Sequence, residues 1–202
     1  MEKLFWNERY AGAESVYGRQ PNHFFKDEIQ KLTPGKLLLP GEGEGRNALY
    51  AASLGWNVSA IDFSEVAKKK TVAMAKSMGL LIDYQLGDIG SISLARDAYD
   101  MIALIYVHLS EVEKKHLLSE CTHALKVGGK ILLEVFSKDQ VKYVSGGPKD
   151  TRLLYSVEEL TSNFMGFDFQ LARTELIDLQ EGVFHSGLAS VVRIMATKNQ
   201  KN

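Results

Sequence analysis

The chain has 202 residues, 45% hydrophobic and 24% charged, enough for one sizeable core and short for two independent domains. Its 24 Lys and Arg stand against 25 Asp and Glu, a formal charge of -1, so no general pull toward phosphate backbones is expected and nucleic acid is set aside as a partner. The lone cysteine, Cys121, cannot close an internal disulfide, and no leader-like segment or bilayer-length apolar run is visible, which points to a cytoplasmic protein with no membrane partner.

The first 35 residues are dense in aromatic side chains, namely Phe5, Trp6, Tyr10, Tyr17, Phe24 and Phe25, and are expected to form a flap or helical lid within a single domain, 1–202. A strand over 36–39 then runs into the bend Pro40-Gly41-Glu42-Gly43-Glu44-Gly45-Arg46-Asn47. A short Ala/Leu-rich helix follows over 47–54, closed by Gly55. The next strand, 57–63, feeds a helix over 64–78 that Ser64 can cap and Gly79 can stop. Strands over 81–86 and 99–106 lead to a helix opened by Ser110 with Glu113 three places on, a capping-box pattern. Its apolar positions Val112, Leu117, Cys121, Ala124 and Leu125 precede Gly128-Gly129 and a fifth strand, 130–136. This alternation is βαβ grammar and predicts parallel strands. After Phe136 come a polar loop, 137–153, and a helix begun by Ser156. Two β-like stretches, 167–177 and 190–196, end the chain, with 178–189 as their connection; a terminal antiparallel hairpin added to the sheet is the simplest arrangement.

Glycines at 41, 43 and 45 allow a tight turn and close backbone approach to a ligand, and the amides opening the next helix favour negative or polar groups. A strand-to-helix turn with no ligand has the same residues. Asp62 ends the following strand, where a carboxylate can accept from two ribose hydroxyls, as in dinucleotide and nucleoside-sulfonium cofactors; a helix-cap role is the alternative. The dinucleotide pattern places its third glycine three residues after the second, whereas Arg46 stands there and Gly45 comes two residues after Gly43. That pattern therefore fails. Glu42 and Glu44 suit a pyrophosphate poorly and tolerate a ligand bearing an ammonium and a sulfonium, which favours S-adenosyl-L-methionine (SAM).

Asp88, just past the third strand, is placed to accept from an adenine amino group or to stabilise its own turn, and Ile89 can cover the ring. Phe63 can line the adenine pocket. Tyr106-Val107-His108 lies at the carboxyl edge, where open α/β sheets bind ligands. His108 reads as a base, as an orienter of a nucleophile, or as the lead-in to the next helix. His116 and His123 have no Cys/Asp cluster beside them, so no metal site is expected. His185 and Arg193 read either as a proton acceptor and an anion holder or as a turn histidine and a surface-strand arginine.

Four segments resemble the class I SAM-dependent methyltransferases, and more narrowly the small tellurite-resistance/thiopurine-methyltransferase-like group: Gly41-Glu42-Gly43-Glu44-Gly45-Arg46-Asn47, Val58-Ser59-Ala60-Ile61-Asp62-Phe63-Ser64, Gly128-Gly129-Lys130 and His185-Ser186-Gly187-Leu188-Ala189-Ser190-Val191-Val192-Arg193. Trp6-Asn7-Glu8-Arg9-Tyr10 with Tyr17-Gly18-Arg19-Gln20-Pro21-Asn22-His23-Phe24 resembles the group's lid segment. The resemblance implies a Rossmann-like α/β fold: a mostly parallel seven-stranded sheet with a C-terminal antiparallel hairpin and helices on both faces. It implies SAM as cofactor, S-adenosyl-L-homocysteine as product and a small-molecule methyl acceptor. On that pattern Gly41, Gly43 and Gly45 surround the methionine part, with Glu42 and Asn47 in the same loop. Asp62 then binds ribose, Asp88 and Ile89 contact adenine, and Phe63 and Tyr106 line the cofactor pocket. His185 and Arg193 lie near the acceptor, with His108 as a further candidate, and Tyr17 and Phe24 close over the site. Two departures stand out: Leu39 occupies the place of an acid commonly found two residues before the first glycine, and Ser186 follows the late histidine where tellurite enzymes often carry Arg. The expected chemistry is in-line transfer to a soft nucleophile, a thiol or a selenium or tellurium oxyanion; the alternative is a non-catalytic SAM sensor or interaction protein.

Overall fold

A computed structural model describes residues 3–12 and 15–199. In chain order the elements are α1 (Lys3–Arg9), α2 (His23–Ile29), β1 (Lys36–Pro40), α3 (Arg46–Ser53), β2 (Asn57–Asp62), α4 (Glu65–Ser77), β3 (Ile82–Leu86), β4 (Tyr99–Ile105), α5 (Glu111–Ala124), β5 (Leu125–Phe136), α6 (Val157–Asn163), β6 (Phe167–Gln180) and β7 (Ser186–Lys198). The strands form one seven-stranded sheet in the order β3-β2-β1-β4-β5-β7-β6. Neighbours from β3 through β5 are parallel, and β7 runs antiparallel to both β5 and β6. The mostly parallel sheet with its terminal hairpin matches the expectation.

Side-chain alternation along the strands divides the core between the two faces. Leu38, Ile102, Leu104, Ile131 and Leu133 point toward Leu117, Leu118 and Cys121 of α5 and Leu160 of α6. Leu37, Leu39, Val58, Met101 and Ala103 point the other way, toward α2 and α3. Helix starts follow the caps legible in the sequence: Ser64 accepts from Ala67 N, Ser110 and Glu113 close a capping box, and Ser156 accepts from Glu159 N.

Three segments differ from the sequence reading. First, β5 starts at Leu125, because Leu125 already pairs with Tyr99 before a register shift to Met101↔Lys130; Gly128, at φ 77°, lies in the stretch between the two pairs. Second, the hairpin is longer than 167–177 and 190–196, since pairing continues through Asp178↔Leu188 to Gln180↔Ser186. Third, only the first part of the expected lid lies at the sheet edge. Phe24, Phe25 and Ile29 of α2 are buried in the core.

The ladders also open a cleft. β1 pairs with β2 as far as Pro40↔Ile61 but with β4 only at Leu37↔Met101 and Leu38↔Ile102. Past Leu38 the two strands part at the point where the strand order reverses, the usual place for a ligand in an open α/β sheet. Among the described residues no helix is long and apolar enough to cross a membrane.

Candidate active site

A cavity of about 460 Å³ fills this cleft. One side is built by the β1–α3 loop, the end of β2 and Ile89. At Gly41, φ is 69°, and an added Cβ would stand 3.0 Å from Val107 and 3.2 Å from Ile89, so the bare backbone keeps the passage open. Glu42 is buried, and its Oε1 accepts from the amides of Asn47 at 2.8 Å and Ala48 at 2.7 Å, the first turn of α3. Burial still lifts this carboxyl to about 7, against those bonds and the Arg46 charge. Such a group gains from an arriving cation. Asp62 accepts from Ser64 N at 2.9 Å and from Gly43 N at 3.1 Å, and burial raises its pKa. Each oxygen thus keeps capacity for a further donor. Asn47, Phe63 and Ile89 complete this wall.

Three residues expected to meet the cofactor lie outside the cavity lining. Gly43 faces the core, where its carbonyl accepts from Tyr84 OH at 2.7 Å. Gly45, at φ 81°, is the N-cap of α3 and packs against Thr71. Asp88 turns back on its own loop, accepting from Gly90 N at 2.9 Å and Ser91 Oγ at 3.3 Å, the usual behaviour of a short polar side chain in a turn.

The opposite wall is aromatic. His185 is 6% exposed, with its ring centroid 4.5 Å from Tyr106, 4.7 Å from Tyr17 and 5.4 Å from Phe136. Its Nδ1 has no hydrogen-bond partner, since Glu181 Oε2 stands 3.9 Å away. Burial lowers the His185 pKa, and Glu181 offsets this in part. Burial also works on Glu181, but the nearby His185 ring and the Arg46 guanidinium outweigh it and hold that carboxyl at about 2. His108 Nδ1 lies 2.9 Å from the Leu153 carbonyl. A carbonyl only accepts, so Nδ1 carries the hydrogen and Nε2 presents its lone pair, without a partner. Burial holds His108 down at about 4, hence neutral near pH 7. Tyr106 adopts φ 53°, rare for a side chain of this size, and donates to Glu134 Oε1 at 2.7 Å.

The N-terminal segment closes the top. Trp6 stacks on Tyr10 at 5.5 Å, Ser64 Oγ donates to Asn7 Oδ1 at 2.7 Å, and Val16 N donates to Glu44 Oε2 at 2.9 Å. Arg9 donates to Tyr17 OH at 3.0 Å.

Arg193, expected at the acceptor, and Phe24, expected to close over the site, belong elsewhere. Arg193 Nε donates to Glu134 Oε2 at 2.6 Å, its NH1 to Glu175 Oε2 at 2.6 Å, and the guanidinium lies over Phe24 at 4.9 Å. β5 and β7 place Glu134 opposite Arg193, so the ion pair follows from strand register. Glu134, fully buried, also accepts from Asn22 Nδ2 at 2.5 Å. Sequence reasoning missed Glu134, Asn22, Glu181 and Arg46. The available signal was a charged residue inside the apolar run Ile131-Leu132-Leu133-Glu134-Val135-Phe136. His116 Nε2 lies 2.7 Å from Ile92 O, and among the described residues no group of three or more His, Cys, Asp or Glu could hold a metal.

Residues 38–129 match the family described as a methyltransferase domain. A stretch of 120 residues, 58% of this chain, is 28% identical to a protein of Eikenella corrodens named hemagglutinin 1 and covers 39% of it. The chain thus spans about two fifths of the curated relative that it matches. TehB from Haemophilus influenzae superposes with a TM-score of 0.76 at 20% identity, over 98% of this chain and 67% of that one. A structure from Methanosarcina mazei described as a SAM-dependent methyltransferase gives 0.69 at 17%, over 90% and 100%. The [4+2]-cyclase SpnF gives 0.70 at 16%, over 98% and 92%. These likenesses concern the fold; the matched domain implies SAM as cofactor.

Proposed function

We propose that this chain, a class I SAM-dependent methyltransferase by its matched domain and its fold, transfers methyl groups to a small soft nucleophile: a thiol, or a selenium or tellurium oxyanion. The observation that carries this reading is the pairing, across one cavity, of two buried acids, Glu42 and Asp62, with an aromatic wall holding His108 and His185. Bound SAM supplies a methyl group on a sulfonium sulfur, which departs as a neutral thioether. Glu42 takes the ammonium of the methionine part, Asp62 the ribose hydroxyls, and Phe63 and Ile89 the adenine faces. Tyr17, Tyr106 and Phe136 hold the acceptor in line and limit water, so alignment and desolvation supply much of the acceleration.

With SAM bound, the aromatic wall would present the acceptor's lone pair to the methyl carbon on the side opposite the departing thioether. With a thiol, the S–H proton passes to His108 Nε2, whose lone pair has no competing partner. At about 4 this histidine is a weak base. It therefore suits a thiol, which ionises at about 8.5, better than an alcohol, which holds its proton far more tightly. An oxyanion of selenium or tellurium needs no deprotonation.

Calorimetric titration with SAM and with NAD, followed by a transfer screen against thiols, selenite and tellurite, tests the proposal. Binding selective for SAM with product formation is expected. SAM binding without transfer to any of these acceptors would replace the proposal with a SAM-binding sensor or interaction protein.

A further inference from the structure

Once Arg193 is committed to Glu134 and Glu175, the question is which cation faces the acceptor. Three basic side chains line the cavity: Arg9, Arg46 and Lys149. Arg46 is occupied, its NH2 donating to Glu181 Oε2 at 2.7 Å and its NH1 to Tyr17 O at 3.2 Å. Lys149 is exposed at the rim and donates to Tyr143 O at 2.9 Å. Arg9 is half-buried, and among the described residues no carboxylate pairs with it. Among the described residues its one hydrogen bond is to Tyr17 OH at 3.0 Å.

The guanidinium is clamped by aromatic faces instead. Its carbon lies 4.7 Å from the Phe5 ring centroid, 4.5 Å from Phe184 and 5.8 Å from Trp6. This accounts for two large apolar side chains left at the surface, Phe5 at 43% and Phe184 at 44% exposure. Contacts over ring faces consume none of the guanidinium's N–H donors, so those not given to Tyr17 OH are left for a planar anion. On the acceptor side the one carboxylate in the lining, Asp150, is already held by Arg152 through Nε–Oδ1 at 3.0 Å and NH2–Oδ2 at 2.7 Å. The acids Glu42, Glu44 and Asp62 belong to the β1–α3 loop and the end of β2.

We infer that Arg9 is the anion-recognition residue of the acceptor site, and that the acceptor is a small molecule carrying a carboxylate or similar planar anionic group beside its soft nucleophilic atom. This rests on the methyl-transfer reading for the role of the ligand, but binding can be measured without transfer. Protein saturated with S-adenosylhomocysteine is titrated calorimetrically with mercaptoacetate and with mercaptoethanol, thiols of similar size that differ in charge. Wild type should prefer the anion by about tenfold, Arg9→Gln should lose the preference, and Arg9→Lys should keep part of it. SAM affinity and the circular dichroism spectrum should match wild type in both variants, while Lys149→Gln should retain the preference. No preference in wild type, or its survival in Arg9→Gln, would overturn the inference, as would its loss in Lys149→Gln alone. If mercaptoacetate binds through Arg9 but yields no methylated product, the methyl-transfer reading loses its acceptor class and the anion site stands.

Discussion

The two sides of the cavity are built by different means. The cofactor side comes from one stretch of chain, Pro40 through Ile89, and is shaped by backbone: Gly41 and Gly45 at positive φ, the first amides of α3 on Glu42, and amides on Asp62. The acceptor side draws on α1, the ends of β4 and β5, the 147–153 loop and the β6–β7 turn. It is braced by side-chain ions, above all Glu134, which joins Asn22, Tyr106 and Arg193. One side is therefore fixed by local conformation, and the other by charges that meet only when the whole sheet has formed.

Perturbations at the two sides should separate accordingly. The largest effect is expected from Glu134→Ala, which leaves Arg193 with Glu175 alone and takes a buried acceptor from Tyr106 and Asn22. It should cost about 3 kcal/mol of stability, read as a fall in urea midpoint, with transfer impaired more than SAM binding. Asp62→Ala should act the other way, weakening SAM by about tenfold to a hundredfold in calorimetry while leaving acceptor KM at saturating SAM near wild type. Comparable losses on both sides from either variant would merge the halves into one unit. The remaining effect concerns pH. Glu42 has a folded pKa of about 7, raised from 4.5, so the stability it contributes is complete below about 4.5 and is lost as pH rises through 7. A cation binds the ionised form, so SAM affinity should fall as pH drops below 7, approaching about tenfold per unit. Glu42→Gln should bind SAM weakly and flatten that profile.

Features with local causes were legible in the sequence. The caps at Ser64, Ser110 and Ser156 and the apolar strands up to Ile105 depend on neighbours a few residues away. What escaped depends on register. Arg193 lies on β7 opposite Glu134 and next to Glu175 on β6, which turns an expected anion holder into half of a structural ion pair. Phe24 lies beneath that arginine because α2 packs on the sheet. Arg9 gains its surroundings from Phe184, on the turn between β6 and β7, and no local pattern joins two such distant residues. Asp88 and Gly43 lay on the right loops, but the Asp88 side chain turns back on its own loop and the Gly43 carbonyl turns into the core toward Tyr84.

Pro40, the last residue of β1, gives the cleft a backbone cause. Gly41 N donates to Ile61 O on the β2 side at 2.7 Å, and along a strand successive amides point to opposite sides, so the position before it faces β4. A proline there has no hydrogen to give. The rung that would zip β1 to β4 beyond Leu38 is thus missing its donor, and the mouth of the cavity is held apart by an absent proton as much as by any side chain.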